Sequence, residues 1–185
     1  MIDDVMKDAG HRMSQAIDHT QQEFNSVRTG RASAALLDRI QIDYYGTPTP
    51  LRNLATVNVP EPRLLTVQPF DPGSIRAVEK AIQESDLGLT PSNDGKLIRL
   101  AIPQLTEERR KELVKIVHRL AEDGRIAVRN VRRDAIQHCK QLVDDGEIGA
   151  DEEHQAEKRV QTLTDEHVQR IDDLLKHKEA EIMEV

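Results

Sequence analysis

Apolar residues recur at steps of three or four in three long stretches of this chain, and at every second position in the region between the first two. From residue 2 to about 29, Val5, Ala9, Met13, Ala16, Ile17, Phe24 and Val27 form one helical stripe. From 106 to about 143, Val114, Ala121, Val128, Ala135 and Leu142 repeat every seven residues, with Val117 and Val131 reinforcing the seam. Thr106 is a good N-cap for this helix, and Glu107 and Glu108 fill its first turn, where acids suit the helix dipole. Gly124 interrupts the seam at a cost of about 1 kcal/mol, so a bend or a close helix approach is expected there. DDGEIGADEE (144–153) reads as a turn, and a last helix runs through Val160, Leu163, Ile171, Leu174, Leu175 and Ile182.

Between residues 30 and 104 the texture changes. All eight prolines lie between Pro48 and Pro103, and short runs such as IQIDYY and LATVNV alternate in the manner of strands. SIRAVEKAIQESDLG reads as one short helix, with Ser74 as its cap and Gly88 just beyond its end.

Three amphipathic helices cannot each bury a stripe alone, but together they form a bundle. The fold class is therefore α+β: residues 1–29 and 106–185 make a discontinuous three-helix bundle, and 31–103 an inserted β/α/β domain. The chain crosses between them only near Thr29, Gly30 and Arg31 and again at 102–105, where Pro103 and Gln104 lie, so a hinge is expected. The helix from 106 spans about 55 Å at 1.5 Å per residue, which makes the bundle a rod carrying a movable head.

The formal net charge is −7, which argues against indiscriminate coating of nucleic acid. From Asp144 onward 14 acids meet 5 bases, and residues 1–143 hold 19 acids and 21 bases, so one end is acidic while another segment is locally basic. The only aromatics are Phe24, Phe70, Tyr44 and Tyr45, too few for a module that stacks bases. The first thirty residues contain no apolar run of a signal sequence, and no stretch reads as transmembrane. A soluble, cytoplasmic protein without a membrane partner is expected, and a monomer, because the bundle buries its own stripes.

Catalysis finds little footing. The single cysteine, Cys139, excludes an intramolecular disulfide, and its neighbour His138 points about 100° away on a helix. The seven histidines have no metal-ligand spacing, and neither a Walker-type loop nor G-x-G-x-x-G occurs. No enzyme, metal or cofactor is expected.

The basic positions carry more information. Arg125, Arg129, Arg132 and Arg133 share one side of the long helix with no acid among them. Arg129 has arginines at i−4, i+3 and i+4, and like charges at that spacing cost roughly 0.2–0.5 kcal/mol each. Such a stripe is either bridged to acids on a neighbouring helix or made to meet phosphate. Arg109 and Arg110 lie at the start of the same helix, and Arg110 is about 33 Å along the axis from Arg132, a separation suited to a large polyanion. Arg28 and Arg31 flank Gly30 at the crossing. Arginine forks engage phosphate oxygens in pairs, which suits the backbone of folded RNA.

VRTGRAS (27–33), YYGTPTPL (44–51), DLGLTP (86–91), LTEERRKEL (105–113) and VRNVRRDA (128–135) together resemble the signature segments of the ribosome recycling factor family, in order, along essentially the whole chain. The resemblance implies an L-shaped protein, a three-helix bundle joined by a flexible hinge to a smaller β/α/β domain. It implies binding to a post-termination 70S ribosome, with the bundle on large-subunit rRNA. It also implies a partner, the GTPase elongation factor G, which acts with GTP to split the subunits. The family's RNA-contacting arginines map onto Arg129, Arg132, Arg133, Arg109 and Arg110, with Arg132 foremost. Arg28, Gly30 and Arg31 match its first hinge crossing, and Pro103 and Gln104 its second. EIGADEE (147–153) departs from the family's usual EISEDE, which bears on how the last helix is capped rather than on function.

Overall fold

The computed structural model describes residues 1–184; Val185, the final residue of the expected bundle segment, lies outside the described residues. The chain divides into two compact units, Met1–Thr29 with Thr106–Val185, and Gly30–Leu105.

The first unit consists of α1 (Ile2–Ser26), α4 (Glu107–Asp144) and α5 (Ala150–Met183), each packed on the other two. Thr106 caps α4 by accepting from the Arg109 N–H at 3.1 Å. On α5, Gly149 has no side chain to offer, and the Glu152 carboxylate instead accepts the Gly149 N–H at 2.9 Å. The seam of α4 runs Leu113, Val117, Ala121, Gly124, Val128, Val131, Ala135, Cys139 and Leu142. Val114, expected in that seam, is only half-buried, because Leu113 holds the place beside Val117. Gly124 belongs to the seam: a Cβ built there would lie 2.3 Å from Thr20 Oγ1 and 3.3 Å from Ile171 Cδ1. At the glycine α4 meets side chains of both α1 and α5 with no room for a Cβ, and its helix-propensity cost is the condition of that approach.

The second unit holds β1 (Gln41–Tyr44), β2 (Thr47–Pro50), α2 (Leu51–Leu54), β3 (Ala55–Glu61), β4 (Leu64–Pro69), α3 (Ile75–Gln83), β5 (Pro91–Asn93) and β6 (Ile98–Ala101). β1 and β2 form an antiparallel hairpin, and the other strands form an antiparallel sheet in the order β3-β4-β6-β5. Leu65 pairs with Leu100 and Val67 with Ile98, so the alternation places all four on one face. With Val78 and Ile82 of α3 they make a core with 0% exposure. The Tyr45–Gly46 loop turns the hairpin with both residues at positive φ, 50° and 80°.

The cap of α3 differs from expectation. The Ser74 hydroxyl donates to the Asp71 carbonyl at 2.7 Å, and the Asp71 carboxylate accepts the Gly73 N–H at 2.9 Å. Asp71 is thus the turn-former, because Pro72 and Gly73 introduce a single 3-10 turn ahead of the helix. The helix also ends earlier, at Gln83, leaving Gly88 outside it with φ 68°.

Candidate nucleic-acid interface

The arginine stripe is built by the middle of α4, and of the two readings open for it, the bridge to acids of a neighbouring helix holds at Arg125. Arg125 is not unpaired. Its side chain is only 17% exposed and sits between two carboxylates. Nε donates to Asp172 Oδ1 of α5 at 2.8 Å with Nη2 in ion-pair contact at 2.7 Å, and Nη1 donates to Glu122 Oε2 at 3.1 Å. Glu122 then reaches down the helix with its other oxygen, Oε1, to Arg129 Nη1 at 3.2 Å. The hydrogen bond from Arg125, followed by that from Arg129, holds the Glu122 carboxyl below its ordinary titration range.

Beyond this group the stripe is open. Arg132 Nη1 donates to the side-chain oxygen of Gln161 at 3.2 Å, and the Gln161 amide nitrogen donates to Asp165 at 2.8 Å. Arg132 therefore has a neutral partner, and among the described residues no carboxylate offsets it. Arg133 is exposed and makes no ion pair among the described residues, since the next residue, Asp134, is taken by Arg12 of α1 at 2.6 Å. The charge of the stripe that meets no carboxylate among the described residues is thereby concentrated at Arg132 and Arg133, with Arg129 shared.

The remaining basic positions are dispersed. Arg109 is paired with Glu112 at 2.8 Å. Arg110 is half-buried, and its Nε is buried without a hydrogen-bond partner, an unusual cost for a guanidinium. Arg28 is exposed beyond the end of α1, and Arg31 is exposed in the second unit. Thr29 closes the first stretch of the bundle unit.

Gly30 has φ 75°, and a Cβ there would lie 3.0 Å from Leu105 Cγ, so both backbone and space select glycine. The two crossing segments fasten to one turn of the sheet unit. The Ala32 N–H donates to the Pro62 carbonyl at 2.7 Å, and the Ile102 N–H to the Arg63 carbonyl at 2.8 Å. The Gln104 amide oxygen, assigned to face Arg63, accepts from its guanidinium, while Pro103 is exposed beside it.

Glu122, Asp172, Gln161 and Arg63 are the participants that sequence reasoning missed. Glu122 lay three residues before Arg125 and so offered a signal, but Asp172 and Gln161 come from another helix. Among the described residues no cluster of His, Cys, Asp or Glu could hold a metal ion, and no helix is long and apolar enough to cross a membrane.

A long three-helix bundle interrupted in sequence by a small antiparallel sheet unit, with open arginines along its middle helix, defines a narrow class of α+β proteins. A sequence model of the ribosome recycling factor family matches residues 20–183, and the chain belongs to that family. The chain is 52% identical over 180 residues to the ribosome-recycling factor of Rubrobacter xylanophilus, covering 97% of each protein. It is 53% identical over 180 residues to that of Thermosynechococcus vestitus, covering 97% of this chain and 99% of the relative. A solution structure of the ribosome recycling factor superimposes with a TM-score of 0.76 at 41% identity, over 100% of this chain and 98% of that one. A model of the T. thermophilus ribosome recycling factor, with the E. coli elongation factor G bound to the E. coli post-termination complex, gives a TM-score of 0.65 at 41% identity over 100% of both chains.

Proposed function

We propose that this chain recycles ribosomes: it binds the post-termination ribosome and, with elongation factor G and GTP, separates the subunits and frees them from mRNA for another round of translation. The observation that carries this reading is a likeness of about half identity running along the entire chain. The GTPase supplies the energy on this reading. The chain performs no reaction of its own and needs no cofactor.

The finer assignment follows from the charges. Arg132 and Arg133, the cations of the stripe left without a carboxylate among the described residues, meet phosphates of large-subunit rRNA first, and Arg129 joins them. Arg109, Arg110, Arg28 and Arg31 extend the contact, whereas Arg125 holds the helices together. The segments around Thr29, Gly30 and Arg31 and around Pro103 and Gln104 serve as the hinge through which movement of the sheet unit is transmitted. The protein acts as a cytoplasmic monomer.

The test is to mix the purified protein with post-termination ribosomes, elongation factor G and GTP and to follow subunit splitting by light scattering. Splitting that requires both proteins is the expected result. Tight ribosome binding without splitting in the presence of a matched elongation factor would overturn the recycling role, and absence of binding would leave a protein-only adaptor bundle as the better reading.

A further inference from the structure

We propose that Glu122 is an internal stand-in for an RNA phosphate: its carboxylate occupies Arg129 in the free protein, yields it to a phosphate on binding, and so limits how tightly the stripe holds RNA. The inference rests on the reading of α4 as an RNA interface given above, and it assigns to an acidic residue a role within that interface.

Arg125 already has a carboxylate partner. Asp172 takes its Nε and Nη2 on the less exposed side, so Glu122 is the second acid on one guanidinium. The other oxygen of Glu122 is committed to Arg129. Both ends of that bond are open to solvent, with Glu122 50% and Arg129 41% exposed, and exchange needs no unfolding. A carboxylate and a phosphodiester each carry one negative charge over two free oxygens, and a guanidinium accepts either with the same fork. The swap at Arg129 is therefore like for like.

The displaced carboxylate does not become neutral or vanish. It keeps Arg125 and stands a few ångströms from the incoming phosphate, where it repels it. Among the described residues no such competitor exists at Arg132, whose partner is the neutral Gln161 amide, or at Arg133. In the free protein the two arginines and two carboxylates of this group sum to zero charge, so it neither attracts nor repels RNA at a distance. A factor that must leave the ribosome after every round gains a faster release from a competitor held one bond away.

The experiment measures binding of the full-length protein to isolated large ribosomal subunits across a salt series, with dissociation followed in parallel. The variants are Glu122→Gln, Arg129→Gln, the double substitution and Arg132→Gln. Glutamine keeps the shape and one acceptor of glutamate while removing the charge. Glu122→Gln is expected to bind about three- to tenfold tighter at low salt and to dissociate more slowly. Its log–log salt plot should steepen by roughly one unit, because the wild-type carboxylate takes up a cation when it gives up Arg129. In the Arg129→Gln background the same change should alter affinity less than about twofold.

Wild-type or weaker binding by a Glu122→Gln protein of unchanged helix content would overturn the proposal. An equal gain in the Arg129→Gln background would also overturn it, since the effect would then be bulk charge rather than exchange at one arginine. Arg132→Gln separates this from failure of the interface itself. If it too binds like wild type, the RNA reading of α4 falls, and if it weakens binding, the fate of Glu122 is decided on its own.

Discussion

On β4 and β6 of the sheet unit the side chains with no exposure are Leu65, Val67, Ile98 and Leu100, all aliphatic, and its buried polar residues, Thr66 and Ser74, lie at 8% and 5%; the bundle sinks Thr20, Thr164 and His167 between its helices at 2%, 2% and 6%. The helices can do this because a buried threonine returns its hydroxyl to the carbonyl one turn back. Thr20 donates to Ala16 at 2.9 Å and Thr164 to Val160 at 2.8 Å. His167 uses the same device: its Nδ1–H donates to the Leu163 carbonyl at 2.7 Å, and Nε2 faces the Ser14 hydroxyl at 3.4 Å. A strand has no equivalent carbonyl to spare within the sheet ladder. Small polar residues also allow close approach, as at Gly124 against Thr20. The bundle thus relies on local satisfaction and closeness at its polar positions, and the sheet unit chiefly on apolar volume.

The largest test of that contrast is in the sheet unit. Leu100→Ala should cost about 2–5 kcal/mol by opening a cavity in an aliphatic core. Amide exchange should accelerate in β4 and β6 while protection in α4 and α5 stays near wild type. Loss of protection in both units together would mean that the two cores are not separate.

Arg132→Glu comes next and should act on binding alone. Helix content should be unchanged while affinity for large subunits falls about tenfold to a hundredfold, one charged hydrogen bond being exchanged for repulsion. Circular dichroism and a binding titration check the two halves of that statement.

Gly124→Ala should destabilise by about 1–2 kcal/mol in a denaturant melt, because overpacking against Thr20 exceeds the gain in helix propensity. Adding Thr20→Ala should recover most of the loss, which would locate the strain at this one approach. No recovery would mean that the backbones themselves collide.

The smallest effect separates two carboxylates. Asp94 in the sheet unit is held below its ordinary range chiefly by the backbone N–H groups of Lys96 and Leu97, and Glu122 in the bundle chiefly by Arg125. Both are depressed in the folded state, so each contributes stability above its ordinary range that is lost as pH falls through the folded value. Added salt should raise the titration point of Glu122 more than that of Asp94, since the ion pair of Asp94 with Arg99 adds less to its shift than its two backbone hydrogen bonds do. Side-chain carboxyl NMR titrations at two ionic strengths would show it.

The three long helices were legible because apolar stripes at helical spacing, such as the seven-residue repeat of Ala121, Val128, Ala135 and Leu142 in α4, have few other solutions. The β1–β2 hairpin was partly legible: IQIDYY announced a strand, but TPTP, with two prolines, did not read as its partner. Such prolines are tolerated there because the hairpin is only two strands wide. The stripe itself was visible, but not its pairing. Asp172 is 47 residues from Arg125, and nothing in periodicity says which acid of α5 faces which turn of α4. Thr164 and His167 were missed for a related reason: polar residues in a seam register look like solvent-facing ones until their hydroxyl or ring N–H is seen to bond backward.

Gly30 and Leu105 touch, and both belong to the sheet unit, with consequences for how the chain is made. α1 leaves the synthesising machinery first and its partners α4 and α5 last, so its apolar face must wait while the intervening segment is translated. Having a core of its own, that segment can fold in the interval as a separate unit. When it closes, it draws the end of α1 and the start of α4 to neighbouring positions and turns a long, entropically costly loop into a short one. The inserted unit is in this sense a built-in clasp for the nascent bundle, one that works before the protein has met any partner.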